Sequence, residues 1–334
     1  MPIPGAPACG CEFSRISPAF AGRALVPVSP PCHHTHAARP FDLLFRLLTC
    51  TGPLNRLDCV AGKTIRVLCL GDLVGRPGRR AIRECLPQIK AEYQVDFTIV
   101  NVENATNGAG LRVKEGEELL GYGIDCMTSG DHILDFPESA DYCEKEYRLL
   151  RPVNYEMKGR GAWIYDPGSG VRIGVVNACG HVFMKERCKT QNVFHATRDA
   201  VEKLREETPI VFVDMHAEAT SEKVAMGWHL DGRASAVFGS HTHVQTADLQ
   251  VLPGGTGYIT DLGMTGPHHG VIGRDAEAVL KRFTTDERHF MKVAKGWIKL
   301  TGAIFEVDVS SGKCVGTQLF SHTLEGVEET GEGA

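Results

Sequence analysis

From Ile65 onward the chain predicts a layered α/β domain, and three observations carry that reading. Short apolar runs alternate with amphipathic helical patterns, polar side chains able to bind metal recur at the ends of those runs, and the composition suits a packed core. Of 334 residues, 43% are hydrophobic and 23% charged, which excludes fibrous, collagen-like and wholly disordered classes. No run of about 18 apolar residues occurs, so no membrane-spanning helix is expected. A net charge of −5 argues against a protein that coats long nucleic acids by charge.

Taken in order, Ile65–Leu70 is apolar at every position but Arg66 and predicts a buried strand, with Gly71–Gly78 as the turn leaving it. Arg79–Tyr93 then carries apolar residues at Ile82, Leu86 and Ile89, the spacing of one helical face. The same signals predict strands at Phe97–Asn101, Ile124–Met127, Val171–Asn177, Ile210–Asp214, Ala236–Gly239, Gln250–Leu252, Tyr258–Asp261 and Trp297–Val309. Helices are expected near Lys114–Tyr122, Pro137–Leu149, His195–Glu207 and Arg274–Phe283. There is no internal repeat.

Residues 1 to about 62 are a different kind of sequence, rich in Pro, Ala, Cys and His. Residues 1–63 hold six basic and three acidic side chains, a net +3, which leaves 30 basic and 38 acidic, a net −8, for the rest. This predicts a poorly ordered extension, loosely like a transit peptide or like upstream sequence translated from a wrongly assigned start. Its cluster Cys32-His33-His34-Thr35-His36, with Cys9 and Cys11, fits no strong zinc spacing. The apolar stretch Phe41–Leu48 is broken by Asp42 and Arg46, unlike a secretory signal. Residues 63–325 are expected to form the folded domain and 326–334 a flexible tail. Seven of the 12 cysteines are scattered through the domain, several in apolar runs, which predicts a reduced, cytosolic protein without a disulfide framework.

The chemistry gathers at predicted strand ends. Asp72 follows the first strand, Glu103 and Asn104 the second, Asp131 and His132 the third; His216 closely follows the strand ending at Asp214, and His241-Thr242-His243 follows another. In open α/β folds ligands collect outside the carboxyl ends of strands, so five such loops can share one site. Each group alone has an ordinary explanation as a turn, cap or half-buried histidine. His241 and His243 are stronger evidence, because imidazoles two residues apart on an extended segment point the same way. Oxygen donors mixed with imidazoles suit manganese, iron or zinc. Gly71, Gly75 and Gly78 do not have the dinucleotide spacing, and no G-x-S-x-G elbow is present.

The runs Gly71-Asp72-Leu73-Val74-Gly75, Val102-Glu103-Asn104-Ala105, Gly130-Asp131-His132, Asp214-Met215-His216-Ala217-Glu218 and Gly239-Ser240-His241-Thr242-His243 together resemble the YmdB-like bacterial metallophosphoesterases. Leu252-Pro253-Gly254-Gly255-Thr256 and Gly263-Met264-Thr265-Gly266-Pro267 extend the resemblance, which covers about residues 65–310. It implies a four-layer αββα calcineurin-like sandwich with two metal ions, iron and/or manganese or else zinc, in a cytoplasmic protein that can form homo-oligomers. It also implies phosphodiesterase activity on small phosphodiesters such as 2′,3′- or 3′,5′-cyclic nucleotides, or on an RNA end bearing a cyclic phosphate. Asp72, Glu103 and His243 would hold one metal, and Glu103, Asp131, His216 and His241 the other. Asn104 would contact phosphate. His132 would assist the leaving group of an attack by a metal-bridging hydroxide.

One position departs from the family pattern, which reads Gly-Asn-His where this chain has Gly130-Asp131-His132. Asp72, Glu103 and Asp131 give −3, so two divalent ions and a hydroxide leave a net 0, against +1 with asparagine. The expectation is weaker binding of an anionic diester, or preference for one trivalent ion. Two rival readings stand beside the diesterase: a phosphomonoesterase acting on nucleotides or phosphoproteins, and a low-turnover regulatory protein that binds metal and a nucleotide or RNA. The loop Gly263–Gly270, with His268 and His269, is expected to border the site, and Lys223 and Arg274 to be phosphate contacts or surface charges.

Overall fold

The computed structural model describes residues 62–168, 170–185, 187–285 and 289–324, all within one compact unit, Cys59–Ala334. The expectations for the extension through residue 61, including its Cys/His cluster, and for the tail after Glu325 lie outside the described residues. Strand β1 (Thr64–Leu70) shows why its run is apolar from Val67 onward. Its alternate side chains face opposite ways, Val67 and Cys69 toward one core and Leu68 and Leu70 toward another, so both faces are buried. After the short β2 (Asp72–Leu73), helix α1 (Gly75–Glu92) lays Ile82, Leu86 and Ile89 onto the Leu68/Leu70 face. The helix starts four residues earlier than its apolar spacing predicts. Pro77 lies in the first turn, where its missing N–H breaks no bond.

The chain continues through β3 (Phe97–Asn101), α2 (Val113–Gly121), β4 (Cys126–Thr128), a 3-10 turn at Asp131–Leu134 and α3 (Glu138–Lys145). Next come β5 (Ala162–Tyr165), β6 (Ile173–Cys179), α4 (Val193–Arg205), β7 (Val211–His216), α5 (Thr220–His229) and β8 (Ala236–Ser240). The last elements are β9 (Gln250–Val251), β10 (Gly257–Ile259), β11 (Met264–Pro267), α6 (Ala276–Thr284), β12 (Ile298–Asp308) and β13 (Cys314–Thr323).

They form a seven-stranded sheet in the order β2-β11-β12-β1-β3-β4, with β13 also on β12, and a six-stranded sheet in the order β5-β6-β7-β8-β10-β9. Phe97, Ile99 and Phe305 of the first sheet meet Val175, Phe212 and Phe238 of the second in a core between the sheets. A further core lies under α1, and another joins Val201 and Met226 to Val211 and Val213 beneath α4 and α5. The result is the expected αββα sandwich. Among the described residues no helix is long and apolar enough to cross a membrane.

Several elements differ from the sequence reading. Helix α5 and strands β5, β11 and β13 are additions. Met264–Pro267 was expected as a polar loop beside the site, yet it is a buried strand between β2 and β12, because its few small and apolar residues fit a fully enclosed ladder. His268, just past the strand, sets its Nδ1 3.0 Å from the Gly266 carbonyl and its ring edge-on to Trp297.

Candidate metal centre

Strands β1, β3 and β4 are parallel neighbours in one sheet and β7 and β8 in the other, so their carboxyl ends bring the five loops together. His216 Nε2 lies 3.1 Å from Glu103 Oε1, 3.9 Å from Asp131 Oδ1 and 3.0 Å from His241 Nδ1. Glu103, Asp131, His216 and His241 each offer a ligand atom within 4.8 Å of the others. Asp72 Oδ1 approaches His216 Nδ1 at 3.6 Å and His243 Nε2 at 3.9 Å, while His243 Nε2 is 3.0 Å from Asn104 Oδ1. All six predicted ligands therefore adjoin one cluster, with Asp72 and His243 on the side nearer Asn104. Space is tight: a Cβ at residue 130 would run into the Glu103 carboxylate and the His216 ring, so the 130 position needs glycine.

The His241-Thr242-His243 segment is not extended as its spacing suggested. β8 ends at Ser240, and His241 and His243 take φ of +97° and +64°. Left-handed backbone at two bulky residues costs on the order of 1–3 kcal/mol each, which the surroundings must hold in place. Asp72 Oδ2 accepts from the His241 N–H at 2.9 Å, and Asp261 Oδ2 accepts from the Thr242 N–H at 3.1 Å and its hydroxyl at 2.8 Å. Lys223 Nζ pairs with the same Asp261 oxygen at 2.6 Å, with both side chains 1% exposed. Lys223 is thus neither a phosphate contact nor a surface charge but the buried counter-ion beneath the histidine turn.

Outer partners fix which nitrogens face the cluster. The Ser240 hydroxyl donates to Asp214 Oδ1 at 2.6 Å, so Ser240 Oγ accepts from His216 Nδ1–H at 3.0 Å, and Nε2 is directed at Glu103. Glu218 Oε2 lies 3.2 Å from His241 Nε2 and leaves Nδ1 for the cluster; the Ile272 carbonyl takes His243 Nδ1–H at 2.9 Å and leaves Nε2. Asp214, Asp261 and Glu218 carry no spacing signal of their own; Asp214 and Glu218 flank His216, whereas Asp261 lies 19 residues beyond Thr242.

The electrostatics fit a missing partner of positive charge. Asp72 Oδ1, both Glu103 oxygens and Asp131 Oδ1 are buried without a hydrogen-bond partner, a costly arrangement unless a cation serves them. Burial pushes the Asp72 carboxyl up to about 7, helped by Asp261, and raises Glu103 as well. For His216 burial pulls downward, but Glu103, Asp72 and Asp214 outweigh it and lift the imidazole to about 10. Burial and the neighbouring His216 push His241 down to about 3. A proton on His216 Nε2 thus occupies the point on which Glu103 and His241 converge, and oxygen and imidazole donors suit a transition metal there.

The cluster opens into a cavity of about 280 Å³ lined by Asn104, His132, Glu218, Ile272, Arg274 and Met291, among others. His132 stands on the 3-10 turn with Nδ1 2.6 Å from Asp135 Oδ2. The Arg274 guanidinium is spent on the carbonyls of Asn107, Gly108 and Met291, so it braces the Asn104 loop. Arg187 was not anticipated: it arrives from the loop between β6 and α4, with Nε 3.2 Å from Asp131 Oδ2.

The chain is also similar to known proteins over most of its length. A family described as YmdB-like protein matches residues 68–319. A Bacillus subtilis protein named 2′,3′-cyclic-nucleotide 2′-phosphodiesterase is 42% identical over 252 residues, covering 75% of this chain and 94% of its own. A crystal structure described as a novel phosphatase from Mycoplasma pneumoniae superposes with a TM-score of 0.73 at 34% identity, over 78% of this chain and 94% of that one. A Thermus thermophilus protein of unassigned function gives a TM-score of 0.70 at 37% identity, over 78% and 99% of the two chains.

Proposed function

Because the chain belongs to the YmdB-like family, we propose that it is a metal-dependent phosphodiesterase acting on cyclic nucleotides, the 2′,3′-cyclic class first. The observation that carries this reading is the convergence of four ligand atoms within 4.8 Å beside a cavity that His132 and Asn104 line. Asp72, Glu103 and His243 would hold one cation and Glu103, Asp131, His216 and His241 a second, with iron or manganese favoured by the mixed donors and zinc as a substitute. Two such cations, when bound, supply water activation at neutral pH and offset the charge gathering on the phosphoryl oxygens.

The protein's own residues supply the rest. Asn104 offers a neutral amide to the phosphate, and its position over the cluster orients the diester. His132 carries a proton toward the departing ribose oxygen, and Asp135 on its Nδ1 holds the ring in one orientation. Ile272 and Met291 give the cavity an apolar wall suited to the nucleoside. The reading assigns the activity to residues 63–325 and places the protein in the cytosol, in keeping with the free cysteines among the described residues.

The test is metal analysis of the purified protein paired with 2′,3′- and 3′,5′-cyclic nucleotides, bis-p-nitrophenyl phosphate and p-nitrophenyl phosphate. Metal-dependent turnover of diesters well above monoesters is expected. Faster monoester cleavage would replace the reading with a phosphomonoesterase, and stoichiometric nucleotide binding without product would replace it with a regulatory binder.

A further inference from the structure

Asp131 divides its two oxygens between different tasks. Oδ1 faces the cluster, 3.9 Å from His216 Nε2, buried and without a hydrogen bond. Oδ2 turns away and meets Arg187 Nε at 3.2 Å. The same guanidinium continues outward through Nη1 to Asp135 Oδ1, and Asp135 Oδ2 holds His132. Arg187 is four-fifths buried, comes from a loop 56 residues away in sequence, and is permanently cationic.

We propose that Arg187 is a positioning residue that neutralises Asp131 from behind, so that this carboxylate serves the cluster as a nearly neutral oxygen donor and the site keeps a positive surplus for an anionic diester. This rests on the phosphodiesterase reading. A count restricted to Asp72, Glu103 and Asp131 gives a net 0 with two divalent cations and a hydroxide; adding Arg187 makes it +1. Asp135 and His132, which the same guanidinium also meets, are kept in every variant below, so they drop out of the comparison. The Arg187 chain has a further effect, since Asp135 is held at one oxygen by Arg187 and at the other by His132, which ties the ring's orientation to the same support.

A role through charge predicts opposite effects on cations and anions, which loss of structure cannot produce. Arg187→Gln leaves Asp131 uncompensated, so Mn²⁺ binding tightens several-fold while inorganic phosphate binds the Mn²⁺-loaded protein about tenfold more weakly, the size of one added charge across a half-buried site. Asp131→Asn does the reverse. The double variant Asp131→Asn with Arg187→Gln returns both affinities to within about threefold of the native protein, and Arg187→Lys keeps most phosphate affinity. Both are read by titration calorimetry at saturating Mn²⁺ for phosphate, with circular dichroism to verify folding. Weakening of both ligands in Arg187→Gln, unchanged phosphate binding, or a double variant as weak as the single one would overturn the proposal. A native protein that neither binds Mn²⁺ nor hydrolyses any diester would instead overturn the functional reading beneath it.

Discussion

The buried pair between Lys223 and Asp261 gives the most direct test of how the histidine turn is held. Lys223→Met keeps the length of the side chain and removes the charge that lies 2.6 Å from Asp261 Oδ2. Asp261 retains three neutral donors, Thr242 N–H at 3.1 Å, Thr242 hydroxyl at 2.8 Å and Gly263 N–H at 2.8 Å, but its negative charge is left buried without a cation. Removing one partner of a buried pair costs about 3–5 kcal/mol; the three donors and the apolar gain of methionine bring the expectation to about 3 kcal/mol. At about 2 °C or slightly more per kcal/mol for a domain of this size, calorimetric melting of EDTA-treated protein should fall by about 6 °C. Adding Asp261→Asn removes the stranded charge while keeping an acceptor for Thr242, so the double variant should recover at least half of the loss. Mn²⁺ affinity should drop in the single variant, because His241 and His243 sit on either side of Thr242. A melting point within about 1 °C of native, or equal losses in single and double variants, would refute the claim that this pair supports the turn.

Glu103→Gln should cut bound Mn²⁺ by at least half in elemental analysis, since both of its oxygens face the cluster without other partners; full loading would remove Glu103 as the shared ligand. His132→Ala should retain metal and lose about 10²- to 10⁴-fold in diester turnover, and metal-depleted protein would show that His132 is a ligand instead of an acid. Proton competition fixes the sign of the pH dependence. With no cation present, burial holds a proton on Asp72 up to about pH 7, and His216 keeps its extra proton to about pH 10 through Glu103, Asp72 and Asp214 despite its own burial. Mn²⁺ must displace them, so its apparent affinity should rise between about pH 6 and pH 8 with net proton release. Calorimetry in buffers of different ionisation enthalpy reads that release, and proton-neutral binding would contradict the assigned protonation.

The sandwich and the ligands were legible in the sequence for one reason: strands buried on both faces are mostly apolar, so clusters of polar residues stand out at their carboxyl ends. Ile65–Leu70 ending before Asp72, and Phe97–Asn101 ending before Glu103, are the pattern in its plainest form. What the sequence hid follows from the same physics. β13 is half-exposed and mixed in polarity, so its run is broken, and β11 is built of Met, Thr, Gly and Pro, whose strand propensity comes from the ladder on either side. Thr220–His229 lacks a strong apolar stripe because buried Glu222 and Lys223 occupy its inner face, where Glu222 accepts the backbone N–H groups of His181 and Val182. Arg187 could not be read at all: nothing local distinguishes an arginine whose partners are 52 to 56 residues away.

The ligands are also structural parts, and that joins metal binding to the stability of the loops that carry it. Asp72 gives Oδ2 to the His241 backbone and keeps Oδ1 for the cluster, so one carboxylate both restrains a left-handed histidine and faces His216 and His243. The partnerless oxygens and the opposed protonation of His216 and His241 count against the folded state and would be relieved by a cation, whose bonds to His241 and His243 would also offset the cost of the left-handed turn. A cation that binds only the folded chain stabilises it by about 2.7 kcal/mol at 100 times its dissociation constant. The histidine turn should accordingly gain protection from hydrogen exchange on loading with Mn²⁺ before the sheets do, because two of the ligands flank Thr242 in that turn.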